Sequence, residues 1–241
     1  MTALAKAEAA KPRVAALDKA YGHLDGLALL RVMIEKEFRG RIALGSSFGA
    51  EAGVLLALVA EIDPATPVLF LDTRKLFEET LRYKETLVAR LGLTDVRVLR
   101  PDAAELVAED PDATLWSRDY DACCDLRKVR PLNRALGDFD AWITGRKRFH
   151  GDGRTTLPTI EAEDGKIKIN PLVRWSQADI AAEFKARDLP PHPLVAQGYL
   201  SIGCTTCTRR IEPNEEIRAG RWAASDKTEC GIHKARWSKN P

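Results

Sequence analysis

The sequence predicts an α/β protein built on a doubly wound, mostly parallel sheet with helices on both faces. Short continuous apolar segments, typical of buried strands, alternate with longer segments in which apolar residues recur at helical spacing. Hydrophobic residues make up 45% of the 241 positions and charged residues 30%, which suffices for one sizeable core or two small ones. We therefore expect one α/β domain over residues 1–193 and an irregular C-terminal tail over residues 194–241.

The first part of the chain predicts helices and strands in alternation. Apolar residues over 13–38 recur at helical spacing and predict one or two opening helices. The elements predicted after them are strands at 41–46, 67–72, 95–99 and 141–144, a helix ending at Ile62 and a helix at about 76–91. Ligands of such sheets bind beyond the carboxyl ends of the strands. Ser46–Gly49 and Asp72–Thr73 lie there, although turn formation and helix capping explain them equally well.

The second part predicts a hairpin, a helix and the tail. Strands at 157–161 and 166–169 flank a turn at Asp164–Gly165. Ser176 is predicted to cap a helix that runs to Arg187, with Asp179 in its first turn. The prolines that follow end this helix, and the tail shows too little periodicity to form a core of its own. We expect it to pack on the α/β domain.

The net charge and the hydropathy of the sequence exclude some classes of function. Lys and Arg total 37 against 35 Asp and Glu, and no run of five like charges occurs, which argues against a nucleic-acid or membrane-surface partner. The longest apolar stretches, 54–62 and 68–71, are shorter than the roughly 18–20 residues of a membrane span. Residues 1–11 do not resemble a secretory signal. We expect a cytoplasmic protein.

The five cysteines suggest a metal centre. An odd number of thiols in a reducing compartment argues against a disulfide framework. Two close pairs, Cys123–Cys124 and Cys204–Cys207, suggest thiolates around a metal, with Cys230 left free. If residues 121–130 are helical, the adjacent cysteines point about 100° apart, which suits different irons of a 4Fe-4S cluster better than one tetrahedral ion. Structural zinc and unliganded core cysteines remain the alternatives.

Cys230 and the arginines around the tail are candidates for a reaction on an anion. Lys227, His233 and Lys234 would favour the Cys230 thiolate, although a single tail cysteine also occurs as an incidental thiol. The planar fork of arginine suits phosphate and sulfate oxygens, although each of these arginines alone is equally typical of a solvated surface. The arginines concerned are Arg146, Arg148, Arg154, Arg209, Arg210, Arg218, Arg221 and Arg236.

These segments together resemble the assimilatory adenylyl-sulfate reductase family, the iron-sulfur branch of the sulfonucleotide reductases. The similarity spans residues 41–233. Its most specific parts are Cys123-Cys124-x-x-Arg127-Lys128-Val129, Cys204-Thr-Thr-Cys207, Glu229-Cys230-Gly231-Ile232-His233, and two segments similar to the family's nucleotide-binding loops, Ser47–Glu51 and Phe70–Thr73 with Leu76, Phe77, Glu79 and Thr80. The sequence departs from the family's pattern at Arg74, where glycine is usual, at residues 145–154, and after Trp222.

The resemblance implies a fold of the adenine nucleotide alpha hydrolase type and a set of roles. Cys123, Cys124, Cys204 and Cys207 would bind a 4Fe-4S cluster that tunes and positions the site. Cys230 would be the nucleophile, with Lys128 and His233 beside the sulfate. The residues expected to contact the substrate are Ser47, Phe48, Gly49, Asp72, Thr73, Arg148, Arg154, Arg218 and Arg221.

The implied reaction is the reduction of adenylyl sulfate to sulfite and AMP through an S-sulfocysteine on Cys230. With four thiolates bound to metal, an external dithiol must supply the electrons, so we expect a separate thioredoxin or glutaredoxin as partner. A homo-oligomer is compatible with the sequence.

Three alternatives stay open at this point. The substrate could be, or could include, 3'-phosphoadenylyl sulfate. A tRNA-thiolating enzyme would carry a Ser-Gly-Gly-x-Asp-Ser loop, and this chain has Ser46-Ser-Phe-Gly-Ala-Glu51 instead. A zinc-binding interaction module would show a basic, aromatic face, which the near-neutral charge disfavours.

Overall fold

A computed structural model describes residues 3–233, with side chains from Ala10 onward except that of Asp152. In this part of the chain six strands form one sheet in the order β3-β2-β1-β4-β6-β5, parallel throughout except for β5, which is antiparallel to β6. The strands are β1 Ile42–Ser46, β2 Val68–Leu71, β3 Val96–Leu99, β4 Ala141–Ile143, β5 Ile160–Glu163 and β6 Lys166–Ile169. The α/β prediction is confirmed.

Helices cover both faces of the sheet. They are α1 Ala3–Tyr21, α2 Gly26–Val32, α3 Ala52–Ile62, α4 Glu78–Leu91, α5 Ala103–Glu109, α6 Leu115–Arg118, α7 Tyr120–Cys124, α8 Arg130–Ala135 and α9 Gln177–Ala186. A π-helical turn, Asp125–Val129, joins α7 to α8, so residues 121–130 are helical, which was the condition for the argument about the adjacent cysteines. The sequence analysis did not predict α5, α6 or α8. The first two bury no residue, whereas α8 buries Pro131 and Leu132.

The predicted hairpin and helix cap are present. The first hairpin strand begins at Ile160 instead of Leu157, since Pro158 has no N–H to give to a strand ladder. Ser176 and Asp179 form a reciprocal capping box at α9, in which the Ser176 hydroxyl accepts from the Asp179 N–H at 3.2 Å and the Asp179 carboxylate accepts from the Ser176 N–H at 2.7 Å.

Two apolar layers hold the sheet. The larger lies under α1 to α4 and α9 and includes Leu44, Leu56 and Phe70, all fully buried. The smaller lies under α8 and includes Leu132 and Trp142. Because β1 pairs with β2 on one side and β4 on the other, the chain order reverses at β1 and opens a crevice beyond the carboxyl ends of these strands.

The tail, over residues 194–233, closes this crevice without a helix or strand of its own in the described chain, apart from short 3₁₀ turns such as Gly231–His233. Trp222 is 2% exposed, and the guanidinium carbon of Arg221 lies 4.4 Å from its ring centre. Lys234 and Arg236 lie outside the described residues. Within residues 3–233, no helix combines the length and hydropathy that a membrane-spanning helix requires.

Candidate active site

A cavity of about 220 Å³ lies beyond the carboxyl ends of β1, β2 and β4, between the α/β domain and the tail. It brings together most of the residues that the sequence singled out. Those that line it are Ser47, Gly49, Thr73, Lys128, Arg154, Arg218, Arg221, Cys230 and His233, whereas Phe48, Asp72 and Arg148 do not. The cavity thus joins the two strand-end loops to the cysteine of the tail.

The loop after β1 is shaped by Phe48. Its φ is 47°, in the left-handed region that few residues other than glycine adopt, and its backbone N–H donates to the Ser46 hydroxyl at 3.2 Å. The Phe48 ring is fully buried and packs edge to face on Phe70, with ring centres 5.3 Å apart. Phe48 therefore anchors the loop, while Ser47, Gly49 and the N-terminus of α3 face the cavity, an arrangement suited to an anion.

The loop after β2 is held by its own side chains. Asp72 accepts from the Arg74 N–H at 3.0 Å and from Arg100 Nε at 2.9 Å, so its carboxylate is used within the loop. Arg74 has φ 58°, in the left-handed region that favours glycine. Thr73 is fully buried, and its hydroxyl lies 3.2 Å from Cys204 Sγ, which places the second loop against the cysteines.

A buried ion pair between Arg127 and Asp110 supports the backbone of Thr73. Arg127 donates to the Thr73 carbonyl at 3.0 Å and pairs with Asp110, and both charged residues are 4% exposed. Burial raises the pKa of Asp110, but the Arg127 guanidinium outweighs it and lowers the pKa overall. The sequence analysis assigned no role to either residue, although Arg127 belongs to the Cys-Cys-x-x-Arg motif.

The four paired cysteines form two groups. Cys123 interacts with Cys204 and Cys207, and burial raises its pKa to about 11. Cys124 instead hydrogen-bonds to Cys230. The adjacent thiols thus have different partners, as their angular separation on a helix predicts.

The four paired cysteines supply soft sulfur donors of the kind that iron-sulfur clusters use. Among residues 3–233, no three His, Cys, Asp or Glu side chains are arranged to hold one metal ion. Lys128 nevertheless interacts with Cys124, Cys204 and Cys230 together, so both cysteine groups surround its ammonium. Burial lowers the pKa of Lys128, but the thiolates outweigh it and raise the pKa above its ordinary value.

Cys230 lies where the cations converge. A hydrogen bond with Cys124 lowers its pKa, burial opposes this effect, and the charges of Lys128 and Arg221 lower it further. Cys230 lines the same cavity as Ser47 and Gly49 of the loop after β1. A thiolate held in this position can attack an electrophile bound in the cavity.

His233 is held by aromatic stacking. Its ring lies over the Trp142 ring with centres 5.9 Å apart and planes at 12°, and the ammonium of Lys168 is 4.8 Å from the same Trp142 centre. Burial, followed by the charges of Lys168 and Arg146, lowers the pKa of His233, which keeps the imidazole neutral. His233 Nδ1 and Arg221 Nε are buried without a partner in the described chain and can contact a bound anion.

A chain of ionic contacts that the sequence analysis did not foresee runs along the cavity wall. Glu51 accepts from Lys147 Nζ at 2.7 Å and lies 2.9 Å from His150 Nε2. Burial raises the pKa of Glu51, but His150 and Lys147 lower it to about 2. Arg154 contacts His150 Nδ1 at 3.1 Å and pairs with Glu229 through both carboxylate oxygens, at 2.7 and 2.8 Å.

Arg148 lies outside this chain of contacts. Its guanidinium donates twice to the Leu157 carbonyl, at 3.0 and 2.8 Å, and does not line the cavity. Only the structure shows this, because residues 145–154 contain no periodic pattern from which the direction of a side chain can be predicted.

Comparison with known proteins gives consistent matches over most of the chain. Residues 41–210 match the model of the phosphoadenosine phosphosulfate reductase domain. The adenosine 5'-phosphosulfate reductase of Mesorhizobium japonicum is 50% identical over 92% of this chain and 87% of its own length, and that of Chelativorans is 49% identical over 90% and 89%. A crystal structure of the phosphoadenylyl-sulfate reductase of Candida auris, in complex with phosphate, superposes with a TM-score of 0.70 at 27% identity, covering 83% of this chain and 97% of that one.

Proposed function

Because this chain belongs to the phosphoadenosine phosphosulfate reductase domain family, and relatives that it matches over most of their length are adenosine 5'-phosphosulfate reductases, we propose that it reduces adenylyl sulfate to sulfite and AMP in sulfate assimilation. The observation that carries the proposal is the shared cavity. Cys230, the loop after β1 and the cationic residues Lys128, Arg218 and Arg221 line this one cavity, which supports a reaction between the thiolate and a bound anion.

The two ends of the cavity suit the two ends of the substrate. The nucleotide lies against the loops after β1 and β2, where Ser47, Gly49 and Thr73 and the N-terminus of α3 receive its phosphate. The sulfonate then points towards Cys230, within reach of Lys128, Arg221, Arg218 and His233. These groups offset the charge repulsion between a thiolate and an anionic sulfonyl group.

The first chemical step is nucleophilic displacement at sulfur. The Cys230 thiolate attacks the sulfonyl sulfur, an S–S bond forms, the S–O bond to the phosphate breaks, and AMP leaves with the electron pair of that bond. The neutral imidazole of His233 can hydrogen-bond to a sulfonyl oxygen through the nitrogen that has no protein partner. The product on the enzyme is an S-sulfocysteine.

The second step consumes a dithiol. One thiolate of a thioredoxin or glutaredoxin attacks Cys230 Sγ and releases sulfite, and the second thiol of that protein then frees Cys230 and leaves the partner as a disulfide. Two electrons pass from the dithiol to sulfur. Cys230 lines the cavity between the domain and the tail and is partly buried there, and opening of the tail would give the partner protein full access to it.

The proposed cofactor is a 4Fe-4S cluster bound by Cys123, Cys124, Cys204 and Cys207. Bound there, it would place its charge beside Lys128 and tune the electrostatics of the sulfonate site. Its presence is checked by iron and sulfide content and by the visible absorbance of anaerobically purified protein.

The decisive assay is thioredoxin-dependent sulfite release by anaerobically purified protein, with adenylyl sulfate and 3'-phosphoadenylyl sulfate in parallel. We expect rapid release from the first substrate and little from the second. Release from the second alone would reassign the substrate, and no release from either by protein with a full iron content would refute the proposal.

Replacement of the nucleophile should separate binding from chemistry. Cys230→Ser is expected to bind AMP and retain the cluster absorbance, but to form no S-sulfocysteine and release no sulfite, because a serine hydroxyl is not ionised at neutral pH. Mass spectrometry of the protein after one turnover without reductant detects the adduct. Normal sulfite release by this variant would contradict the proposed mechanism.

A further inference from the structure

We propose that Glu229 is a positioning residue for the nucleophile, and that Arg154 holds the tail through Glu229 instead of binding the substrate. The proposal rests on the function proposed above, since it concerns the placement of Cys230. Its geometry is independent of that function.

One carboxylate joins the nucleophile segment to the α/β domain. Glu229 Oε1 accepts from the backbone N–H of Cys230 at 2.8 Å. The same carboxylate takes both Arg154 Nε and Arg154 Nη2, at 2.7 and 2.8 Å, in a bidentate pair. Arg218 approaches it at 3.7 Å from within the tail. The backbone of Cys230 is therefore fixed, through a single side chain, to an arginine of the domain.

Arg154 is itself held rigidly. It is 8% exposed, and its remaining guanidinium nitrogen lies 3.1 Å from His150 Nδ1. His150 in turn contacts Glu51, which is also bound by the buried Lys147. Glu51 belongs to the loop that receives the nucleotide phosphate. The position of Cys230 is thus linked to the phosphate-binding loop by consecutive ionic contacts.

This network commits three of the five N–H groups of the Arg154 guanidinium to protein partners. Each of its three guanidinium nitrogens has a protein partner, two on Glu229 and one on His150. Arg221, by contrast, has a buried Nε without a partner in the described chain. Arg221 thus offers an anion a buried donor that no described residue uses, whereas the hydrogen bonds of Arg154 go to Glu229 and His150, and on this contrast we assign Arg154 to the tail.

The chain offers a matched control for this ion pair. Glu215 also takes two nitrogens of an arginine, Arg209, both at 2.8 Å, but that pair lies wholly within the tail and away from the cavity. Glu229→Gln and Glu215→Gln remove the same charge with the same change of atoms. Only the first breaks the link between Cys230 and the domain.

The experiment compares both variants with the wild-type holoenzyme. For Glu229→Gln we expect S-sulfocysteine formation in a single turnover to slow by about tenfold to a hundredfold, the cost typical of a misplaced reacting group, while KM for adenylyl sulfate stays within about twofold. Alkylation of Cys230 by iodoacetamide, mapped by mass spectrometry, should become faster in the resting protein. Glu215→Gln should match the wild type in all three measurements.

A double-mutant cycle with Arg154→Gln and Glu229→Gln then tests whether Arg154 acts through Glu229. If Arg154 acts through Glu229, Arg154→Gln should lower the adduct rate without raising KM, and the double variant should be no slower than either single variant. A raised KM in Arg154→Gln, with additive losses in the double variant, would return Arg154 to the substrate and overturn the proposal.

Failure of this proposal is distinguishable from failure of the function. Wild-type protein that forms no adduct would contradict the proposed reaction, and the alkylation rates would still report on the position of Cys230. Wild-type protein that forms the adduct, with Glu229→Gln equal to it in adduct rate and alkylation, would refute the positioning role alone. Retained cluster absorbance and an unchanged urea midpoint show that the variant is folded.

Discussion

The α/β domain and the tail are held together by different forces. The domain buries a continuous apolar core around its sheet, with Leu44 and Leu56 inaccessible to solvent. The described tail buries few large apolar side chains, chiefly Trp222, Leu194 and Ile202. Burial of apolar side chains stabilises a region without requiring a particular partner. An ion pair, by contrast, can be replaced by a contact between one of its members and a charged ligand. The domain is thus suited to a fixed nucleotide site and the tail to a nucleophile that must move.

The contacts between the two regions support this distinction. The backbone N–H of Thr205 donates to the Lys75 carbonyl at 2.8 Å, and Lys227 pairs with Asp121. Like the Arg154–Glu229 pair, these contacts between the domain and the tail are hydrogen bonds and ion pairs. We expect the tail to open while the sheet stays folded, which gives a dithiol protein access to Cys230.

The largest expected effect comes from Trp222→Ala. Truncating a buried tryptophan typically costs about 3–5 kcal/mol, and here the cations stacked on the ring, Arg221 at 4.4 Å and Arg218 at 5.7 Å, lose their partner as well. We expect the loss to appear as opening of the tail. Hydrogen exchange at tail amides should accelerate and adduct formation should fall, while the urea midpoint of the domain barely changes.

Leu56→Ala is the matching variant in the domain. Leu56 is fully buried in α3, and its truncation should lower the free energy of unfolding of the whole protein by about 2–5 kcal/mol. Exchange should then accelerate in the sheet as well as in the tail. If Trp222→Ala shifts the urea midpoint as far as Leu56→Ala does, the two regions unfold together and the distinction fails.

The same difference in forces explains what the sequence could predict. The alternation of strands and helices was predictable because buried strands such as β2 require continuous apolar residues. The helices α5 and α6 were not, since they bury no residue and their stability does not depend on an apolar pattern. Hydrophobic patterns in a sequence indicate which residues are buried, so they predict the structure of the domain better than that of the tail.

The candidate site shows the same limit. Ser47, Gly49, Lys128 and Cys230 could be named from the sequence because each belongs to a short motif, and these four residues line the cavity. The pairing of Arg154 with Glu229 was not, because 75 positions separate these residues and only the folded chain brings them together. The direction of Arg148 depends on a 3₁₀ turn for which the sequence carries no signal.

An intermediate effect is expected at His192, where the domain meets the tail. Its Nδ1 accepts from the N–H of Leu194 at 3.2 Å, its Nε2 lies 3.0 Å from the Thr80 hydroxyl, and burial lowers its pKa to about 4. Between pH 6.5 and 4 an unfolded chain binds a proton at this residue and the folded protein does not, so stability falls as pH falls through that window. From pH 7.5 to 5 the loss should be about 2 kcal/mol.

Urea unfolding of wild-type protein and His192→Asn at both pH values isolates this contribution, because every other titrating group is common to the two proteins. The stability difference between wild type and variant should shrink by about 2 kcal/mol on acidification. An equal difference at both pH values would mean that His192 titrates normally in the folded state and that the junction is open to water.

The smallest expected effect concerns Arg74, in the loop next to the Lys75 carbonyl that binds the tail. With φ 58° and an exposed side chain, Arg74 carries the strain of a left-handed conformation, about 1–2 kcal/mol for residues other than glycine. Arg74→Gly removes that strain but adds freedom to the unfolded chain, so we expect a net stabilisation of about 0.5 kcal/mol in urea unfolding. Arg82→Gly, at an exposed position inside α4, should instead destabilise by about 1 kcal/mol. If Arg74→Gly also destabilises, the guanidinium contributes to the contact between domain and tail, and the arginine at this position serves the tail rather than the loop.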